Sequence, residues 1–129
     1  MTNEWIERDL AFAVEAARVA GRRGMGLRKA DRWEGKMLAD IGDQAADGYL
    51  QGFIRGRYPE DGILSEETVD SPERLEKERT WIVDPLDGTK EYSQGRPDWA
   101  VHVALTNSGA MPLLNVAAAS TPIPIRLTP

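Results

Sequence analysis

Trp81-Ile82-Val83-Asp84-Pro85-Leu86-Asp87-Gly88-Thr89 packs a strand, a turn and a helix start into one short stretch. Thr80 to Val83 is aromatic and β-branched, which predicts a compact buried strand. Pro85 cannot donate to a strand ladder, so the strand is expected to stop there, just after delivering Asp84. Asp87-Gly88 has turn chemistry, and Thr89 suits the start of a helix. The stretch thus gathers two carboxylates and the Leu86 carbonyl, all hard oxygen donors suited to magnesium. The amides of Gly88 and Thr89 fall at a helix start, where phosphate is readily seated. Taken alone, the same residues also read as an ordinary structural Asp-Gly turn.

Downstream, Trp99, Val101, Val103 and Leu105 alternate with Ala100, His102 and Ala104, the pattern of a half-buried strand. His102 lies inside that alternation with no second histidine in the chain and reads as structural. Upstream, Ile63-Leu64 begins a short strand that ends at Ser65-Glu66-Glu67, and the charged run Ser71 to Arg79 reads as an exposed loop or a short helical turn. Further back, Ala46, Leu50, Phe53 and Ile54 predict a helix from about Asp43 to Arg57, closed by the turn residues Tyr58 to Gly62. Gly48, Gly52 and Gly56 share one face of it, which predicts close packing against another helix. That other helix runs from Asn3 to about Gly21 on Ile6, Leu10, Ala13, Val14 and Ala17, with Thr2 or Asn3 as cap; residues 24–39 read as a loop.

Helices followed by strands predict an α+β fold: two N-terminal helices packed on an antiparallel sheet. From Thr106 onward the character changes, with four of the eight prolines and one charged residue, Arg126. Ala110 to Ala119 reads as one more strand and Ser120 to Pro129 as irregular. The expected organisation is a working unit over 1–105 and an atypical proline-rich tail over 106–129.

The composition narrows the chemistry. There are no cysteines and one histidine, which excludes disulfides, thiolate zinc sites, cysteine nucleophiles and multi-imidazole sites. A net charge of -5 argues against a nucleic-acid polymer as partner. No apolar run approaches the roughly 18 residues of a membrane span, and Glu4, Glu7 and Arg8 stand where a secretory signal needs an apolar core. A cytoplasmic protein without membrane contact is the expectation. Three separate acidic groups, Asp40/Asp43/Asp47, Glu66/Glu67 and Asp84/Asp87, read either as solvated clusters or as a divalent-metal site for phosphoryl chemistry.

Ser65-Glu66-Glu67, Asp84-Pro85-Leu86-Asp87-Gly88-Thr89 and Asp98-Trp99-Ala100-Val101-His102 together resemble the inositol monophosphatase superfamily, lithium-sensitive and magnesium-dependent phosphatases, over about residues 5–105. Lys90-Glu91-Tyr92, Leu38 to Asp43 and Gly95 to Trp99 look like its 3'(2'),5'-bisphosphate nucleotidase (CysQ) branch of actinobacterial type. The resemblance implies the N-terminal half of a layered αβαβα fold and a phosphomonoesterase that takes a small phosphorylated substrate. That substrate would be 3'-phosphoadenosine 5'-phosphate, cleaved to AMP and phosphate. An inositol or sugar phosphate is the alternative, and a non-catalytic metal-binding piece a second. It further implies magnesium, with manganese as a possible substitute, held by Glu66, Asp84, Asp87, the Leu86 carbonyl and, more weakly, Glu67. Gly88 and Thr89 would hold the phosphate. Glu66 would help to place the attacking water, and Thr89 paired with Asp43 would take its proton. Family members are about twice this length and carry a further metal-binding aspartate after a tryptophan. Trp5, Trp33, Trp81 and Trp99 are each followed by another residue type. The chain therefore corresponds to the N-terminal half and is expected to be poorly active alone; oligomeric state is not legible.

Overall fold

The structure, a computed structural model, describes residues 4–65, 77–107, 112–119 and 125–128. Two long helices come first, α1 (Glu4–Lys29) and α2 (Gly35–Arg57). Then follow β1 (Gly62–Ser65), β2 (Arg79–Asp87), the short α3 (Thr89–Ser93), β3 (Ala100–Asn107), β4 (Pro112–Ala119) and β5 (Ile125–Thr128). The five strands lie in sequence order in one sheet. The α+β layering matches the expectation, but the sheet is mixed. β1 runs parallel to β2, whereas β2, β3, β4 and β5 pair antiparallel in succession.

Both helices outrun their sequence signals. α1 continues through Gly21, Gly24 and Gly26 to Lys29, and α2 begins at Gly35, so the expected loop over 24–39 shrinks to a link around Asp31, whose φ is +56°. Glycine in a helix costs about 1 kcal/mol against alanine, and the packing at Gly24 leaves ordinary contact distance for a methyl group. A Cβ there would stand 3.6 Å from both the Trp99 and the Tyr92 rings. The α1 face turned to the sheet is Ala13, Ala16, Ala17, Ala20 and Gly24, all buried, with Leu10 and Val14 at its flank. Small side chains let the helix backbone lie close on β3 and β4. The capping residues read for α1, Thr2 and Asn3, lie outside the described residues.

Trp81, Val83, Val101, Val103, Leu105, Leu114, Val116 and Ala118 form the sheet side of the core, facing both helices. Phe12 stacks on Phe53 at 4.6 Å and stands 5.4 Å from Trp81, so an aromatic group joins α1, α2 and β2. Beside it Asp9 is fully buried and accepts from Tyr58 Oη at 2.6 Å and Arg79 Nη1 at 2.8 Å. Arg79 Nε and Trp81 Nε1 both donate to Asp61. This network ties the start of β2 to α1, at the end of the strand away from Asp84.

The glycine row Gly48, Gly52 and Gly56 is exposed, and a Cβ on any of them would meet nothing within 4 Å. The close approach on α2 is instead at Gly42. Beyond Leu105 the chain continues the sheet: β4 pairs along β3, and β5 forms a strand where an irregular end is expected from sequence. No helix among the described residues is long and apolar enough to cross a membrane.

Candidate active site

β2 does not stop at Pro85; it runs on to Asp87. Its pairing with β3 slips on the way: Asp84 lies opposite His102 and Asp87 opposite Ala100, three steps on one strand against two on the other. Pro85 thus sits in a bulge, one of the few places where a strand interior accepts it. The extra residue has a geometric consequence. Residues three apart on a regular strand point to opposite faces; one inserted residue cancels one alternation and brings Asp84 and Asp87 to the same face.

That face is the one the helices leave uncovered. Leu64, Ser65, Ile82, Asp84, His102 and Asn115 are among the residues lining a cleft of about 340 Å³ on it. His102 Nε2 lies 3.1 Å from Asp87 Oδ2. An ionised carboxylate only accepts, so this contact is a hydrogen bond in the tautomer that carries the hydrogen on Nε2. The reading of His102 as a structural strand residue therefore missed a contact to a candidate ligand. The signal was in the alternation, which sets His102 opposite the buried Trp99, Val101 and Val103.

Immediately after Asp87 the chain turns at Gly88, with φ +90°, into α3. Only glycine suits the position: the conformation is left-handed, and a Cβ would stand 3.0 Å from the Asp98 carbonyl and 3.3 Å from Trp99 Cα. Gly88 is the residue before the helix and Thr89 its first residue. The first amides of any helix have no partner within it, and those of the Gly88-Thr89 turn stand at the start of α3.

Tyr92 fixes α3 between both long helices. It is fully buried, its hydroxyl donates to the Gly24 carbonyl at 2.6 Å, and a Cβ on Gly42 would stand 2.7 Å from its ring. Burial pushes the Tyr92 phenol up; Arg28 opposes this and the charge of Asp43 adds to it. Asp43 therefore lies on the α2 turn that faces α3, the helix that begins with Thr89. Arg28 stacks on Tyr92 and Trp99 and donates to the carbonyls of Tyr92 and Arg96, which secures the segment after α3. Arg96 pairs with Asp98 through two contacts, 2.9 and 2.7 Å, and its hydrogen bond holds that carboxyl below the usual range.

The other acidic residues of α2 are engaged elsewhere. Asp40 pairs with Lys36 in solvent. Asp47 is buried, accepts from Ser65 Oγ at 2.5 Å and from Gln51, and so anchors the end of β1. Glu66 and Glu67, read as ligands, lie outside the described residues. Among the described residues no three acidic or histidine side chains form a metal cluster. The donors present still fit magnesium in kind, since that ion is commonly held by one or two carboxylates and keeps several waters for phosphate to replace.

The sequence of residues 5–119 matches the model of the inositol monophosphatase family. The 3'-phosphoadenosine 5'-phosphate phosphatase of Mycobacterium leprae is 43% identical over 99 residues, which are 75% of this chain and 36% of that protein. Inositol monophosphatase 3 of Solanum lycopersicum is 36% identical over 110 residues, 81% of this chain and 41% of that protein. Among solved structures, CysQ from Bacteroides thetaiotaomicron superimposes with a TM-score of 0.80 at 27% identity, over 98% of this chain and 47% of that one. The chain thus spans between a third and a half of the length of these relatives. The match extends past the motifs that suggested it, through β4, and on it the chain belongs to the inositol monophosphatase family.

Proposed function

We propose that the chain carries the metal- and phosphate-handling part of a magnesium-dependent phosphomonoesterase acting on 3'-phosphoadenosine 5'-phosphate in the cytoplasm. The observation that carries this reading is the bulge at Pro85, which turns Asp84 and Asp87 to one open face directly before the Gly88-Thr89 turn. The higher identity to the mycobacterial phosphatase than to the tomato inositol monophosphatase supports the nucleotide over an inositol phosphate.

Asp84, Asp87, the Leu86 carbonyl and Glu66 would hold magnesium, with manganese as substitute and Glu67 as a weaker ligand. When bound, the ion supplies positive charge that acidifies a water and stabilises the leaving oxygen. Gly88 and Thr89 orient the phosphate through their amides, in line with the attacking water. The Thr89 hydroxyl takes the water's proton and relays it toward Asp43, and no covalent intermediate with the protein forms. Residues 1–105 hold this machinery, and within 106–129 the strands β4 and β5 extend the sheet that supports it.

Two measurements test the reading. Millimolar magnesium or manganese is expected to raise the melting temperature by mass action, and Asp87→Asn to lose that response. In a chimera completed by the C-terminal part of the mycobacterial relative, phosphate release is expected to be faster from 3'-phosphoadenosine 5'-phosphate than from inositol 1-phosphate. An equal thermal response in wild type and Asp87→Asn overturns the site; the reverse substrate order moves the chain to inositol phosphates.

A further inference from the structure

We propose that His102 is a positioning residue for the metal site, holding the Asp87 carboxylate through its Nε2–H; this rests on the reading of Asp87 as a ligand. Asp87 is weakly constrained by its surroundings. Its side chain is 62% exposed, it ends β2, and a glycine with left-handed backbone follows it. A carboxylate so placed samples several rotamers, and each must be restricted before it can bind an ion. His102 offers the restraint from a firm base. It stands in the middle of β3, paired across the ladder with Asp84 and flanked by the fully buried Val101 and Val103. From there its ring reaches along the open face to Asp87 Oδ2, 3.1 Å away. One carboxylate oxygen is thereby occupied, and the other is left to the ion and its waters.

The same contact explains why the bulge and the histidine belong together. Without the inserted residue at Pro85, Asp87 would face the helices and His102 would meet no acceptor from it. With the insertion, one imidazole on β3 lies next to both carboxylates of β2. Groups that orient a metal ligand through a hydrogen bond typically change metal affinity about 10- to 100-fold when removed.

The test is manganese binding to the 129-residue chain at one fixed pH, followed by calorimetry and by the resonance of the free ion, which needs no catalysis. His102→Ala is expected to raise the manganese dissociation constant about 10-fold. His102→Gln, whose amide nitrogen occupies the place of Nε2, is expected to stay within about threefold of wild type. In an Asp87→Asn background His102→Ala is expected to add nothing further. The melting temperature without metal controls for folding, since His102 is partly exposed and its loss leaves the core intact. An unchanged dissociation constant in His102→Ala overturns the proposal, and so does an equal loss in the Ala and Gln variants. A loss for manganese with none for magnesium overturns it too, since it would make the imidazole a direct ligand. If Asp87→Asn binds manganese as wild type does, the metal reading itself fails, whatever His102 does.

Discussion

Asp9 is the residue whose charge the fold uses most completely. Burial alone would raise its carboxyl, but the hydrogen bonds from Arg79 and Tyr58 outweigh that and hold it below the usual carboxylate range. A carboxyl lowered by folding stabilises the protein above its unfolded pKa of about 3.9, and that stability is lost as pH falls through the folded value. Stability is therefore expected to drop below about pH 4, and Asp9→Asn to flatten that limb. At neutral pH the same variant is expected to lose about 1–3 kcal/mol, because Arg79 gives up one charged hydrogen-bond partner while keeping Asp61. Urea unfolding at a series of pH values reads both effects. An acid limb of the same depth in the variant would assign it to other carboxyls.

Among the elements, α2 carries two kinds of glycine that the chain sequence does not distinguish. Gly42 meets the Tyr92 ring, and an added methyl would press on a buried side chain that is itself bonded to Gly24. Overpacking of this kind costs about 1–3 kcal/mol. Gly48 faces open space in an exposed helix interior, where alanine is better than glycine by about 0.5–1 kcal/mol. Gly42→Ala is expected to destabilise the chain and Gly48→Ala to stabilise it, measured by denaturant midpoints at constant slope. Gly42→Ala also shifts α3, so in the completed chimera its turnover is expected to fall more than its Michaelis constant changes. A neutral Gly42→Ala would mean that Tyr92 does not pin α3.

At the scale of the whole fold, the described residues cover one sheet face and leave the other open. α1 and α2 bury the first, whereas Ile82 remains 39% exposed on the second, next to the cleft and the two carboxylates. A nucleotide in that cleft would be held from one side only. Preorganised contacts to the reacting group typically supply 10²–10³ in turnover each, and several are lost when a wall is absent. The 129-residue chain is accordingly expected to release phosphate from 3'-phosphoadenosine 5'-phosphate far below about 1 per second, the low end of ordinary enzymes, at millimolar magnesium. Turnover in the ordinary range would require a further acidic ligand, and Asp40, exposed beside Lys36, would be the first to replace by asparagine.

Several features followed from local order alone. The alternation over Trp99 to Leu105 sets which residues are buried, since a strand has a fixed period of two. The donor types in Asp84 to Thr89 suggest a class of chemistry, because hard oxygens and a helix start suit cations and phosphate. Helix lengths were not legible in the same way. Gly42 weakens a helix in isolation, and only its close approach to the Tyr92 ring makes it an asset. Nor could the single sequence reveal that β1 runs parallel to β2. Proline usually ends a strand, so the passage of β2 through Pro85 was hidden, and with it the reason Asp84 and Asp87 share a face. The contact between His102 and Asp87 depends on that bulge and on the register of β3 against β2. Register is a property of two strands together, fixed by which faces the helices bury, and no local pattern on either strand contains it.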